Sequence, residues 1–166
     1  MRSPLNLPFV AALICILGLG FAAQPSRAQT REPTAREIAS IRDCVTRNKD
    51  HLDEGERRCL FNLVAEPCIK RKPAAPDVVV ANCYRTENSI WDGLLNDNYK
   101  RLLETLDDEQ TAKARAMQRA WTAYRDTTCE FYYDKIQGTM ANTMIAACIA
   151  RESARRAMLL MFFARL

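Results

Sequence analysis

The chain has 166 residues, with 24 Lys and Arg against 20 Asp and Glu and a single histidine. That length suits one domain with a single core, and charges this evenly interspersed make a solvated surface rather than a nucleic-acid-binding stripe. One imidazole, His51, leaves little for histidine-based catalysis or zinc ligation.

Residues 1–28 read as a secretory signal peptide. Arg2 is the only early charge, an apolar run extends from Phe9 to Ala23, and Ser26-Arg27-Ala28 offers small residues at the cleavage positions. The run is too short to span a bilayer, which takes about 20 apolar residues. Cys15 follows Ile14 rather than a small residue, so lipidation is not expected. Cleavage removes Arg2 and Arg27 and lowers the net charge from +4 to +2. The mature protein is expected in the periplasm or secreted, with no stable membrane span and no nucleic-acid partner.

Six cysteines remain after cleavage: Cys44, Cys59, Cys68, Cys83, Cys129 and Cys148. An even set in an exported chain reads as three disulfides, though six cysteines allow 15 pairings. A zinc site is disfavoured because no C-x-x-C spacing occurs. No cofactor or metal is expected.

Along the mature chain, Thr34 is placed to cap a first helix whose apolar positions are Ile38, Ile41, Cys44 and Val45. A polar turn spans Asn48 to Leu52. Asp53 with Glu56 forms a capping-box pattern opening a second helix through Cys59, Leu60, Leu63 and Val64. Cys44 and Cys59 flank the turn and are expected to staple this hairpin. Pro73-Ala-Ala-Pro76 is the strongest break, and Cys68 and Cys83 on either side of it are the expected second pair.

A long helix is predicted from Asp77 to about Leu106, with Ile90, Leu94, Leu95, Tyr99, Leu102, Leu103 and Leu106 forming its apolar stripe. Val78 to Val80 are β-branched, but no partner strand is available. Asp107 with Gln110 is another capping box, so the next helix starts near Asp108. Its face runs through Met117, Trp121, Tyr124, Thr128, Phe131 or Tyr132, and Ile136, and Gly138 ends it. A last helix from about Ala141 carries Met144, Ile145, Cys148, Met158, Leu159, Phe162 and Phe163. Cys129 lies nine positions before Gly138 and Cys148 ten after it. In two antiparallel helices both thiols stand roughly 15 Å from the turn, level with each other, which makes this the best-defined pair. The expected fold is all-α: a small disulfide-stapled bundle of four to five helices with antiparallel neighbours.

Chemistry is sparse. No nucleophile has a base beside it, His51 sits in a charged turn, and Asp107, Asp108 and Glu109 are explained by capping and the helix dipole. No catalytic residue is assigned and the chain is not expected to be an enzyme. The segment Gln118 to Asp126 is more pointed, because aromatic and arginine residues there are the types that dominate binding hot spots. Its alternative is a core tryptophan with paired arginines, and burial preference favours that for Trp121. Arg151, Arg155 and Arg156 give the last helix a basic edge.

Leu95-Asn96 with Tyr99, Gln118-Arg119-Ala120-Trp121, Arg125-Asp126, Cys129, Gly138-Thr139, Cys148, Ser153 and Arg156 follow one pattern. It resembles that of the lysozyme inhibitor LprI N-terminal domain family: LN-x-x-Y, AQRAW-x-x-x-RD-x-x-C, GGS or GGT, then CL-x-x-x-T-x-x-R. Met117 stands for the usual alanine, Gln137 for a second glycine, and Ser153 for threonine. The resemblance covers about Cys83 to the end, which divides the chain into a leader (1–28), a cysteine-bearing helical extension (29–82) and a family-like domain (83–166), the last two forming one compact unit.

The resemblance implies an exported, helical, disulfide-linked protein that binds and occludes lysozyme. The motif residues read as framework. Since a lysozyme cleft carries two carboxylates, donors at Thr139, Asn142, Arg151 and Arg155 are the candidate contacts. Common lysozymes are themselves basic, so a net charge of +2 supplies no long-range steering. The alternative is an envelope accessory protein that binds another periplasmic protein or cell-wall material without inhibiting an enzyme.

Overall fold

The computed structural model describes residues 30–166, so the expected leader lies outside the described residues. Six helices and no strand occur among them: α1 (Ala35–Arg47), α2 (Leu52–Cys59), α3 (Ala65–Lys70), α4 (Asp77–Leu103), α5 (Asp108–Ile136) and α6 (Gly138–Phe163). The all-α class is therefore as the apolar periodicity requires, with one helix more than expected.

Helix α1 opens on a complete capping box. Thr34 Oγ1 accepts from Glu37 N, and the Glu37 carboxylate accepts from Thr34 N at 2.8 Å. Ile41, Cys44 and Val45 form its buried stripe. Helix α2 starts two residues earlier than the Asp53 box predicts. His51 O already accepts from Gly55 N at 2.9 Å, and no side chain caps the helix. Asp53 and Glu54 therefore sit in the first turn, where they complement the dipole. Glu56 turns away from the cap to accept from Arg155 Nε on α6 at 2.8 Å.

The expected continuation of this helix to Val64 is broken at Phe61, whose φ is 64°. A buried carboxylate causes the break. Glu87 on α4 accepts from Phe61 N at 2.7 Å, Ala65 N at 2.8 Å and Trp91 Nε1 at 2.9 Å. The chain folds around that acceptor, and α3 begins on its far side.

Three disulfides join Cys44 to Cys59, Cys68 to Cys83 and Cys129 to Cys148, with Cα separations of 5.7, 5.8 and 5.5 Å. The first ties α1 to α2, the second α3 to α4, and the third α5 to α6.

Helices α4 and α6 make the most extensive interface. They run parallel: Asp77 meets Thr139 and Thr143 at one end, and Asn98 Nδ2 donates to Ala157 O at 2.9 Å near the other. The expectation of antiparallel neighbours holds for α5 and α6, and for α2 against α6, where Asp50 meets Arg165 and Glu56 meets Arg155, but not for the dominant pair. Close approach is possible because the inner face of α6 is built from Ala141, Ala146, Ala147, Ala150, Ala154 and Ala157, all buried. Gly55 serves the same end on α2, where a Cβ would lie 3.0 Å from the Met158 sulfur.

Core residues from α1, α2, α4 and α6 form one cluster that includes Ile41, Val45, Leu60, Trp91, Leu95 and Leu160. Helix α5 is different. It leans on α6 and buries only Ala114 and Cys129. The predicted inward stripe on α5 is therefore only partly realised: Met117 and Trp121 pack against the core, while Tyr124, Thr128, Phe131 and Ile136 are exposed. The turn after α5 also differs by one step. Gln137, at φ 58°, ends the helix, and Gly138, at φ 69°, already belongs to α6, three residues before the expected start.

Candidate functional site

Four motif residues, Gln118, Arg125, Asp126 and Arg156, gather around Trp121. Its ring is half-buried, with the Arg125 guanidinium 5.0 Å and the Arg156 guanidinium 5.5 Å from its centroid. Both distances are within the reach of cation–π attraction. Arg156 comes from α6 and is only 6% exposed. It donates Nε to Gln118 Oε1 at 2.9 Å, and its Nη2 has no partner. Burial pushes its pKa down, because no carboxylate faces the charge. A buried guanidinium held by an amide oxygen and an indole face, with no acid beside it and one nitrogen unpartnered, is unusual. Arg125 is tied to its neighbour, with Nε donating to Asp126 Oδ1 at 2.8 Å.

Gln118, Trp121, Arg125, Asp126 and Arg156 thus form one constellation, though Trp121 is not the fully buried core residue that burial preference favours. Trp91 holds that place, with none of its surface exposed. Ser153 is buried one turn before Arg156, and its hydroxyl lacks a partner. Leu95 is in the core and Tyr99 packs at its edge. Asn96 is exposed and donates to Asp92, whereas the buried asparagine is Asn98. Arg119 is exposed.

The candidate contact residues fall at two places. Thr139 and Asn142 lie in the first turns of α6 rather than in a loop. Thr139 Oγ1 donates to Asp77 Oδ2 at 2.6 Å, while Asn142 is exposed. Arg155 is paired with Glu56 and Glu152, and the guanidinium of Arg151 lies 5.9 Å from the Phe61 ring centroid. Three of the four proposed donors are therefore engaged within the chain.

The end of the α5–α6 hairpin is the most solvent-exposed part of the fold. From Glu130 to Met140 every residue except Tyr132 is exposed, and the group includes Tyr133, Ile136 and Met140. The Cys129–Cys148 bridge sits at its base. Exposed apolar side chains on a cross-linked base can enter a partner at little entropic cost.

No comparable chemistry appears in the hollows. One hollow, about 760 Å³, is lined by Asp50, His51, Leu52, Asp53, Glu54 and Arg57. Lys49 lowers the Asp50 pKa and Arg58 lowers that of Glu54, each by donating a hydrogen bond to the carboxylate. Glu87 is the carboxyl whose pKa is raised, by burial, and it is sealed from solvent. Among the described residues no group of three His, Cys, Asp or Glu is placed to hold a metal ion, and no helix is long and apolar enough to cross a membrane.

Sequence reasoning missed Glu87, Trp91 and Asn98. The i, i+4 spacing of Glu87 and Trp91 on a predicted helix was the available signal for the first two.

No curated protein and no solved structure matches the chain. A family model described as lysozyme inhibitor LprI matches residues 68–160, which takes in the second and third disulfides, the Trp121 constellation and the hairpin end. With more than half of the chain matched, the protein belongs to the lysozyme inhibitor LprI family.

Proposed function

We propose that this protein is an exported, non-catalytic inhibitor that binds lysozyme and blocks its cleft. The single observation that carries this reading is membership of the family, over a match that contains the whole α5–α6 hairpin end. Three disulfides support an oxidising, extracytoplasmic location.

The contact we propose is the hairpin end itself, with Tyr133, Ile136 and Met140 inserted into the sugar-binding groove. This replaces the donor-led contact expected from sequence, because Thr139, Arg151 and Arg155 already have internal partners. An apolar insertion also needs no long-range attraction, which suits two proteins of like net charge. Asn142, exposed beside the tip, is left to hydrogen-bond a polar group at the rim.

The test is clearing of a cell-wall suspension by lysozyme in the presence of the oxidised protein. Slowed clearing is expected, and Met140→Asp should raise the concentration needed by at least about tenfold, as expected for losing an apolar anchor. Undiminished clearing at tens of micromolar protein would rule out the inhibitor reading. A dominant envelope partner recovered in its place would favour the accessory role.

A further inference from the structure

We infer that the outward face of α5 is a self-association surface, on which two copies of this chain pair through antiparallel α5 helices. Tyr124 is 55% and Phe131 61% exposed, although both are large aromatics in the middle of a well-formed helix. At about 100° per residue they share a face with Ala116, Ala120, Ala123 and Thr127, all of them exposed. That ridge points away from Ala114 and Cys129, the two α5 residues that are buried. No charged residue lies on it between Lys113 and Asp134, so solvation of the helix does not explain it.

The flanking charges identify a second copy as the occupant. Arg119 and Glu130 border the ridge and are exposed, and neither makes a side-chain hydrogen bond or ion pair among the described residues, unlike Lys113 and Arg125 on the same helix. The basic residue comes first and the acidic one second. The two are equally distant from a point between Tyr124 and Arg125.

A two-fold axis through that point sets Arg119 against Glu130 of the second copy. The pair then occurs twice by symmetry. A parallel arrangement would set like charges side by side. The same register places Phe131 over the gap between Ala116 and Ala120 of the second copy. The small side chains there leave room for a ring, and the two Tyr124 rings meet near the axis. Ionic and steric complementarity thus select one register. The surface is separate from the hairpin-tip residues Tyr133, Ile136 and Met140, so the inference stands independently of lysozyme binding.

Sedimentation equilibrium of the oxidised protein from micromolar to millimolar concentration tests it. A reversible dimer is expected. Arg119→Glu and Glu130→Arg should each raise its dissociation constant roughly tenfold, since two exposed pairs turn repulsive in each case. An equimolar mixture of the two variants should recover dimer, because each presents to the other the charge it lacks. Phe131→Ser should weaken the dimer as well, and unchanged far-ultraviolet circular dichroism would confirm that these surface variants fold. A monomer across the whole range, or a dimer indifferent to all three substitutions, would overturn the inference.

Discussion

At the scale of single residues, two glutamates act in opposite directions. Glu37 is hydrogen-bonded by Arg31 and by the Thr34 backbone, which lowers its pKa from 4.5 to about 2. Its stabilising effect is present above the ordinary carboxylate range and is lost as pH falls through about 2. Glu87 is raised by burial, so its protonated form suits the fold, and its contribution is greatest at low pH and lost as pH rises through its folded value. Glu37→Gln should therefore flatten the acid-side loss of stability, measured by urea unfolding near pH 3 and pH 7, while costing about 1 kcal/mol at neutral pH through the weakened cap. Glu87→Ala should cost about 3 kcal/mol or more, because three buried N–H groups lose their acceptor. Trp91→Ala should cost about 3 to 5 kcal/mol, and Trp121→Ala about 2, since part of its surface is wet and it is held largely by cation–π contacts. Composition does not distinguish these two tryptophans. Which one is core depends on α6 lying between α4 and α5, a tertiary fact that no local spacing encodes.

Individual helices were legible where capping chemistry is local. Thr34 with Glu37 and Asp107 with Gln110 form complete boxes, and Asp107 fixes the start of α5 at the expected residue. Asp53 with Glu56 has the same pattern and fails, because Arg155 from α6 claims Glu56. The break at Phe61 was equally hidden, being dictated by a carboxylate 26 residues away. The α5–α6 turn carries a testable strain. Gln137 adopts φ 58° and ψ 172°, a region nearly reserved for glycine. Gln137→Gly should raise stability by about 1 kcal/mol in thermal melts. Gly138→Ala should lower it by about 1 kcal/mol, wholly through the backbone, since a Cβ there meets nothing within 4 Å. Cys129→Ser opens the hairpin base and should cost about 2 to 5 kcal/mol. The Cys129–Cys148 bridge was readable for a geometric reason, since the two cysteines stand at matched distances from one turn, whereas sequence alone did not fix the pairing of Cys44, Cys59, Cys68 and Cys83, which join across the turns they flank.

For the molecule as a whole, one pattern of apolar residues divides between two roles that sequence does not separate. The α5 stripe has helical periodicity throughout, yet only Met117 and Trp121 pack on the core, and the aromatics beyond them are exposed. A central α6 can cover just one side of a helix, so the remaining apolar surface is available to partners. The family relationship was legible from the motif, whereas the proposed contact surface was not. Motif residues such as Trp121 and Arg156 hold α5 onto α6, and the exposed tip residues Tyr133, Ile136 and Met140 lie outside the motif. Amide hydrogen exchange with and without lysozyme is the most direct measure of whether the cross-linked hairpin end is the inhibitory element. Added protection centred on residues 133–143 is predicted, vanishing when Cys129 and Cys148 are reduced. No change anywhere along the chain, or protection confined to α1–α3, would contradict it.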